Sequence, residues 1–170
     1  ILYVGKISYD NAFDEKREYI GNSAKSLGRV LGESIEDNVR MVRMLSSQRI
    51  IIQALDTGRD EGGAGQDRIR AYLSDDKSFY SICAFNRQGQ VVAGATSAGG
   101  DLRGKSITDQ AAAQDVLSGK ERGIDAKITR SENGKLVYHV AYPVTNSQGQ
   151  RIGGLILGVD LESFNAVHVD

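Results

Sequence analysis

At 170 residues, with 40% hydrophobic side chains, the chain has the length for one domain, or one domain plus a long helix, and enough apolar material for a single core. Lysine and arginine number 21 against 22 acids, a formal charge of −1 that offers no clustered positive surface, so no nucleic acid is expected as a partner. One cysteine, Cys83, excludes an internal disulfide and leaves the redox compartment open, and no apolar run approaches the ~20 residues that span a bilayer.

In chain order, Ile1 to Tyr9 (ILYVGKISY) is apolar and is read as the end of a membrane helix. From about Asp10 to Leu55, Ile20, Ala24, Leu27, Leu31, Ile35, Val39, Val42 and Leu45 recur at helical spacing, with Lys25, Arg29, Glu33, Glu36, Asp37, Arg40 and Arg43 opposite them. Gly21, Gly28 and Gly32 each cost about 1 kcal/mol relative to alanine without forbidding a helix. A helix of roughly 45 residues at ~1.5 Å per residue is about 65 Å long. That exceeds what a domain of this size covers, so part of it is expected to project as a stalk that also lines a dimer; the alternative is two ordinary helices of a bundle.

Asp56 to Asp67 (DTGRDEGGAGQD) holds four glycines and four acids and reads as a solvated loop; around Asp56, Gly58 and Asp60 it lacks the turn glycine and closing glutamate of a calcium loop. Arg68 to Leu73 reads as a short helix. Phe79 to Phe85 (FYSICAF) and Gln90 to Ala95 (QVVAGA) read as two strands around the turn Asn86-Arg87-Gln88-Gly89. Thr108-Asp109 is a cap signal for a helix from Gln110 to Leu117 that ends at Gly119.

Three further extended runs follow, Asp125 to Arg130, Leu136 to Val144 and Ile152 to Asp160, joined by Ser131-Glu132-Asn133-Gly134 and Asn146-Ser147-Gln148-Gly149. Turns this short permit only antiparallel pairing. Five antiparallel strands with helices set apart from them define an α+β domain. The chain divides accordingly into a long stalk and dimerisation helix over 1–55 and a sheet-bearing domain over 56–170.

The succession of an aromatic strand, an Asn/Gly turn and VVAGA, then DLRGKSITD, then SENGKLVYHVAYPVTNSQGQRIGGLILGVDL resembles a Cache domain, the extracytoplasmic PAS-like module of bacterial chemoreceptors and sensor kinases. The resemblance covers roughly Ser78 to Phe164. It implies a PAS-like five-stranded antiparallel sheet with a long N-terminal helix and flanking short helices. It also implies a periplasmic or extracellular sensor at the cell inner membrane, anchored by membrane helices flanking this chain, dimeric through the long helix, and binding a small molecule without a cofactor. The expected whole is a methyl-accepting chemotaxis receptor. The alternatives are the same input domain in a sensor histidine kinase or diguanylate cyclase, or a dimerisation module that binds nothing.

Amino-acid-binding members of the family carry an arginine and an aromatic pair on the helix after the first hairpin, a Tyr-x-Asp pair before the NGK turn, and an aspartate ending the last strand. By resemblance these positions fall on Gln110, on Ala112 and Ala113, on Ile128 and Arg130, and on Asp160, and only Asp160 matches. An ammonium acceptor has become a cation while the helix cation has become neutral, so a free amino acid is not expected. If Ile128 and Arg130 face the ligand, strand alternation sets His139 and Val137 across the hairpin from them, with Ala141 beyond, and puts Gly154, Ile156 and Gly158 on the face of Asp160. Tyr138, Val140 and Tyr142 then face helices. The candidate ligand-binding residues are Gln110, Ile128, Arg130, His139 and Asp160. A fixed cation beside a titratable donor suits a hydroxy- or keto-carboxylate, with a neutral nitrogen ring as the runner-up.

No nucleophile elbow, P-loop, paired-cysteine metal site or HExxH occurs, and GGDLRGK lacks the spacing of a phosphate loop, so no enzyme is expected. His139 and His168 are too few for a metal site, and Cys83 inside an apolar strand reads as core.

Overall fold

The structure, a computed structural model, describes residues 14–131 and 134–161. The apolar start Ile1 to Tyr9, the turn residues Glu132 and Asn133, and His168 lie outside them, as do the side chains of Ile20, Ala24 and Leu27. The chain forms two compact units, Ile1–Asn38 and Val39–Asp170.

Helix α1 spans Asp14–Ser46 and α2 spans Arg49–Thr57, so the single helix expected to run to Leu55 is broken after Ser46. Two serine hydroxyls account for the break. Ser46 Oγ donates to the Arg43 carbonyl at 2.7 Å and Ser47 Oγ to the Met44 carbonyl at 2.7 Å, in competition with the helical ladder. The backbone tightens there as well, with the Ser47 N–H donating to Met44 O and the Gln48 N–H to Leu45 O, each at 3.2 Å.

The acidic, glycine-rich stretch is not a plain solvated loop. A 3₁₀ turn at Glu61–Gly63 leads into α3 (Ala64–Asp75), which starts at Ala64 and not at Arg68. The Asp60 carboxylate makes this start by accepting the Gly65 N–H at 2.7 Å and the Gln66 N–H at 2.8 Å, two donors that a first helical turn leaves open.

Strands β1 (Phe79–Asn86), β2 (Val91–Thr96), β3 (Gly123–Arg130), β4 (Leu136–Thr145) and β5 (Arg151–Asp160) form one sheet in the order β2-β1-β5-β4-β3, with every neighbour antiparallel. With α4 (Ala111–Leu117) this is the α+β architecture that the sequence predicts. The last strand is the central one, buried from Ile152 through Asp160.

On one face Leu155 and Leu157 of β5 lie in register with Ala84 and Ile82 of β1, and Leu45 of α1, Ile51 of α2 and Ile69 of α3 close over Ile82 and Leu155. On the other face Cys83, Phe85, Ala141 and Ile156 pack with Ala112, Ala113 and Val116 of α4. That helix lies so close to β3 that a Cβ on Gly123 would overlap the Ala112 carbonyl. Arg151 holds its other end, with Nη1 donating to the carbonyls of Val116 at 2.7 Å and Lys120 at 2.8 Å.

The segment after β2 runs back along that edge strand. The Leu102 N–H donates to Gly94 O at 3.0 Å, the Val91 N–H to Lys105 O at 2.9 Å and the Gly104 N–H to Val91 O at 2.8 Å. Buried Gln66 completes the edge: its Oε1 accepts the Gly94 N–H at 2.7 Å and its Nε2 donates to Gly94 O at 2.8 Å. Replacing Gln66 by leucine leaves the Gly94 carbonyl with Leu102 but takes the acceptor from the Gly94 N–H. A loss of about 1–3 kcal/mol is expected in urea unfolding; an unchanged midpoint and slope would show that this pairing contributes nothing.

Candidate functional site

On the α4 face, the sheet and the segment following β2 enclose a cavity of about 340 Å³. Cys83, Val91, Val137 and Ile156 are its buried apolar lining, and Ser81, Thr96, Thr129 and His139 bring polar groups from four strands. The exposed Lys105, Asp109 and Arg130 add charge. The backbone bonds between β2 and Leu102–Lys105 set the position of Lys105 and Ser106, while the start of α4 sets Gln110.

Three of the five candidate residues, Gln110, Arg130 and His139, line this cavity, and Ile128 and Asp160 do not. Gln110 is the N-cap of α4, with extended φ −82 and ψ 120, and its side chain makes no capping bond. The helix therefore starts at Ala111, one residue later than the expected Gln110. Arg130, the last residue of β3, donates from Nη1 to the Gly134 carbonyl at 2.8 Å.

Ile128 is displaced by the register. Thr129 pairs with Val137 and Asp125 with His139, so β3 advances four residues while β4 advances two. The expected pairing set Arg130 against Val137, and a slip of one residue exchanges the faces of a strand, which puts Thr129 in the wall in place of Ile128. Asp160 shares the cavity's face, in register with Val137, but its carboxylate is only 4% exposed and is held by Lys135 Nζ at 3.1 Å.

Ser81, Thr96, Lys105, Ser106, Asp109 and Thr129 belong to the cavity and were not anticipated. For Ser81 a signal existed, because it stands two residues before Cys83 in FYSICAF and so shares its face. The register sets Ser81, Gly158, His139 and Asp125 in one row across β1, β5, β4 and β3.

His139 Nδ1 is buried without a hydrogen-bond partner. Burial pushes the imidazole below its ordinary 6.5, and the nearby Asp125 carboxylate only partly opposes this, so the ring is neutral at pH 7. Burial also pushes the Cys83 thiol up to about 12, which leaves it an apolar lining group and not a nucleophile.

No family model and no curated protein matches the sequence. Solved structures do. The sensor domain of the histidine kinase DctB from V. cholerae superposes with a TM-score of 0.66 at 15% identity, over 89% of this chain and 60% of that one. The DcuS sensor domain from E. coli gives 0.64 at 18% identity, over 81% of this chain and 97% of that one. The ligand-binding domain of the Campylobacter jejuni chemoreceptor Tlp3, in complex with 4-methylisoleucine, gives 0.64 at 14% identity, over 84% of this chain and 57% of that one. The fold is thus the PAS-like Cache fold of extracellular sensor domains, as the sequence implied.

The state of His139 has a measurable sign. A histidine whose pKa is lowered by folding contributes stability that is present above its unfolded value, near 6.5, and is lost as the pH falls through the folded value. In a His168→Gln chain, where His139 is the remaining imidazole, proton NMR is expected to show a midpoint below 6.5 and thermal stability that declines on acidification through that range. A midpoint at or above 6.5 would contradict the desolvated environment.

Proposed function

We propose that the chain is the extracytoplasmic sensing domain of a transmembrane chemoreceptor, and that its cavity binds a small hydroxy- or keto-carboxylate. The observation that carries this reading is the pairing of an apolar lining with two cations, Lys105 and Arg130, against one carboxylate, Asp109, among the described lining residues. Asp160, the acid that would repel an anion from the same face, is already neutralised by Lys135. Arg130 presents the planar fork that fits a carboxylate. The occupied domain of Tlp3 supports a small polar ligand for this fold.

The row Ser81, His139 and Asp125 has the residue types of a hydrolytic triad. No hydrogen bond joins Ser81 to His139 among the described residues, so the serine lacks the adjacent base that would activate it, and a binding role fits better than catalysis. A sensor histidine kinase would use the same input domain, and the output half of the protein distinguishes the two receptors.

Isothermal calorimetry with lactate, 2-hydroxybutyrate, pyruvate and 2-oxobutyrate tests the ligand class. At least one is expected to bind, and Arg130→Ala should weaken it by about 1.5–3 kcal/mol, the usual worth of a hydrogen bond to a charged group. Heat from none of the four would favour the dimerisation module instead. The assembly part of the proposal rests on α1, whose 33 residues are about 50 Å long. Leu31, Val39, Val42 and Leu45 are already buried in the single chain and Ile35 is half-buried, so the pairing of two copies is assigned to Ile35 and to the stripe that the sequence places before Leu31. Sedimentation is expected to show a dimer; a monomer at millimolar concentration would remove it.

A further inference from the structure

Gly158 stands between Ser81 on β1 and His139 on β4, and it has no side chain to fill the space over the strand. A Cβ placed there would come 2.5 Å from Ser81 Oγ and 3.5 Å from His139 Nε2. The two polar atoms are therefore no more than about 6 Å apart, the sum of these distances. One oxygen between them can lie at ~3 Å from each, which is hydrogen-bonding distance for both.

Neither side chain spends its polar atoms on the protein. Among the described residues Ser81 and His139 make no side-chain hydrogen bond, and both line the cavity. A bond at Nδ1 ordinarily fixes which ring nitrogen carries the proton. Here Nδ1 has no partner, so the neutral ring can present Nε2 to an incoming group as donor or as acceptor.

We propose that Ser81 Oγ and His139 Nε2 form a polar subsite over Gly158 that receives the hydroxyl group of a hydroxy-carboxylate, and that these two residues set a preference for hydroxylated ligands. This deepens, and rests on, the carboxylate reading of the cavity. A hydroxyl both donates and accepts, so it satisfies a serine oxygen and a neutral imidazole nitrogen together. A methylene in the same place leaves both unpaired, and a site built from polar groups discriminates most strongly against the ligand that lacks the matching group. Burial favours the uncharged imidazole, the form suited to an uncharged hydroxyl.

The test is calorimetry with two matched pairs, lactate against propionate and 2-hydroxybutyrate against butyrate. Within a pair the hydroxy acid is expected to bind about 10-fold tighter, as two net hydrogen bonds allow. Ser81→Ala should bring that ratio close to one, and Gly158→Ala, which places a methyl group in the gap, should do the same. Equal affinity within both pairs, or a ratio unaffected by Ser81→Ala, overturns the subsite and leaves the carboxylate site standing. Binding by none of the four acids overturns the subsite, and the carboxylate reading falls with it only if pyruvate and 2-oxobutyrate give no heat either.

Discussion

Everything in this fold closes on β5, the last strand in sequence and the middle one in space. It pairs with β1 on one side and β4 on the other, and must present a usable surface to both layers of the domain. Its sequence does this by alternation. Leu155, Leu157 and Val159 are bulky on the face that meets the helices, while Gly154, Ile156 and Gly158 are mostly small on the face that meets α4 and the cavity. The two glycines act differently. A Cβ at Gly154 would stand 3.0 Å from Val116 Cγ1, so glycine there admits the side chains that pack α4 onto the sheet. At Gly158 the nearest groups are Ser81 and His139, and what is left is space between polar atoms.

Where local chemistry decides structure, the sequence was legible. The Asn-containing turns, the antiparallel order they enforce and the period of the strands are all short-range signals, and Asn86 and Asn146 serve their turns alike by accepting N–H groups two and four residues on. The break between α1 and α2 was not legible, because an apolar stripe at helical spacing continues straight through it. What ends the helix is a pair of adjacent serines whose hydroxyls take the carbonyls of Arg43 and Met44, and periodicity does not weigh that competition. Asp60 is similar. In a stretch crowded with acids and glycines, only its distance to two backbone N–H groups marks it as the cap of α3.

The site was half legible for a related reason. Register is strongly specified where one face of a strand is buried, and β3 is an edge strand whose residues from Ala126 to Arg130 are exposed or half-buried. The irregularity between Asp125 and Thr129 sits in that stretch, and no pattern in AKITR announces it. His139, on a well-buried strand, fell where alternation puts it. Alternation puts Ser81 on the face of Cys83, but its part in the site shows only once the residue beside it across the sheet is known to be a glycine.

The charges divide the work in a way that follows from burial. Asp160 is almost wholly enclosed, and a carboxylate so placed needs a partner; Lys135, 42% exposed, reaches it from the β3–β4 turn. That pairing takes one anion out of the balance on the cavity's face and leaves Arg130 and Lys105 to face whatever enters. His139 is kept from joining them as a third cation, because the cost of desolvating the imidazolium outweighs the attraction of Asp125. The cavity therefore holds charge at its exposed groups, where solvent limits its cost, and neutral hydrogen-bonding groups further in. An arrangement of that kind fits the proposed ligand, with an anionic end and an uncharged polar group a short distance from it, better than a ligand with two charges so placed, since the inner groups offer nothing to neutralise the second.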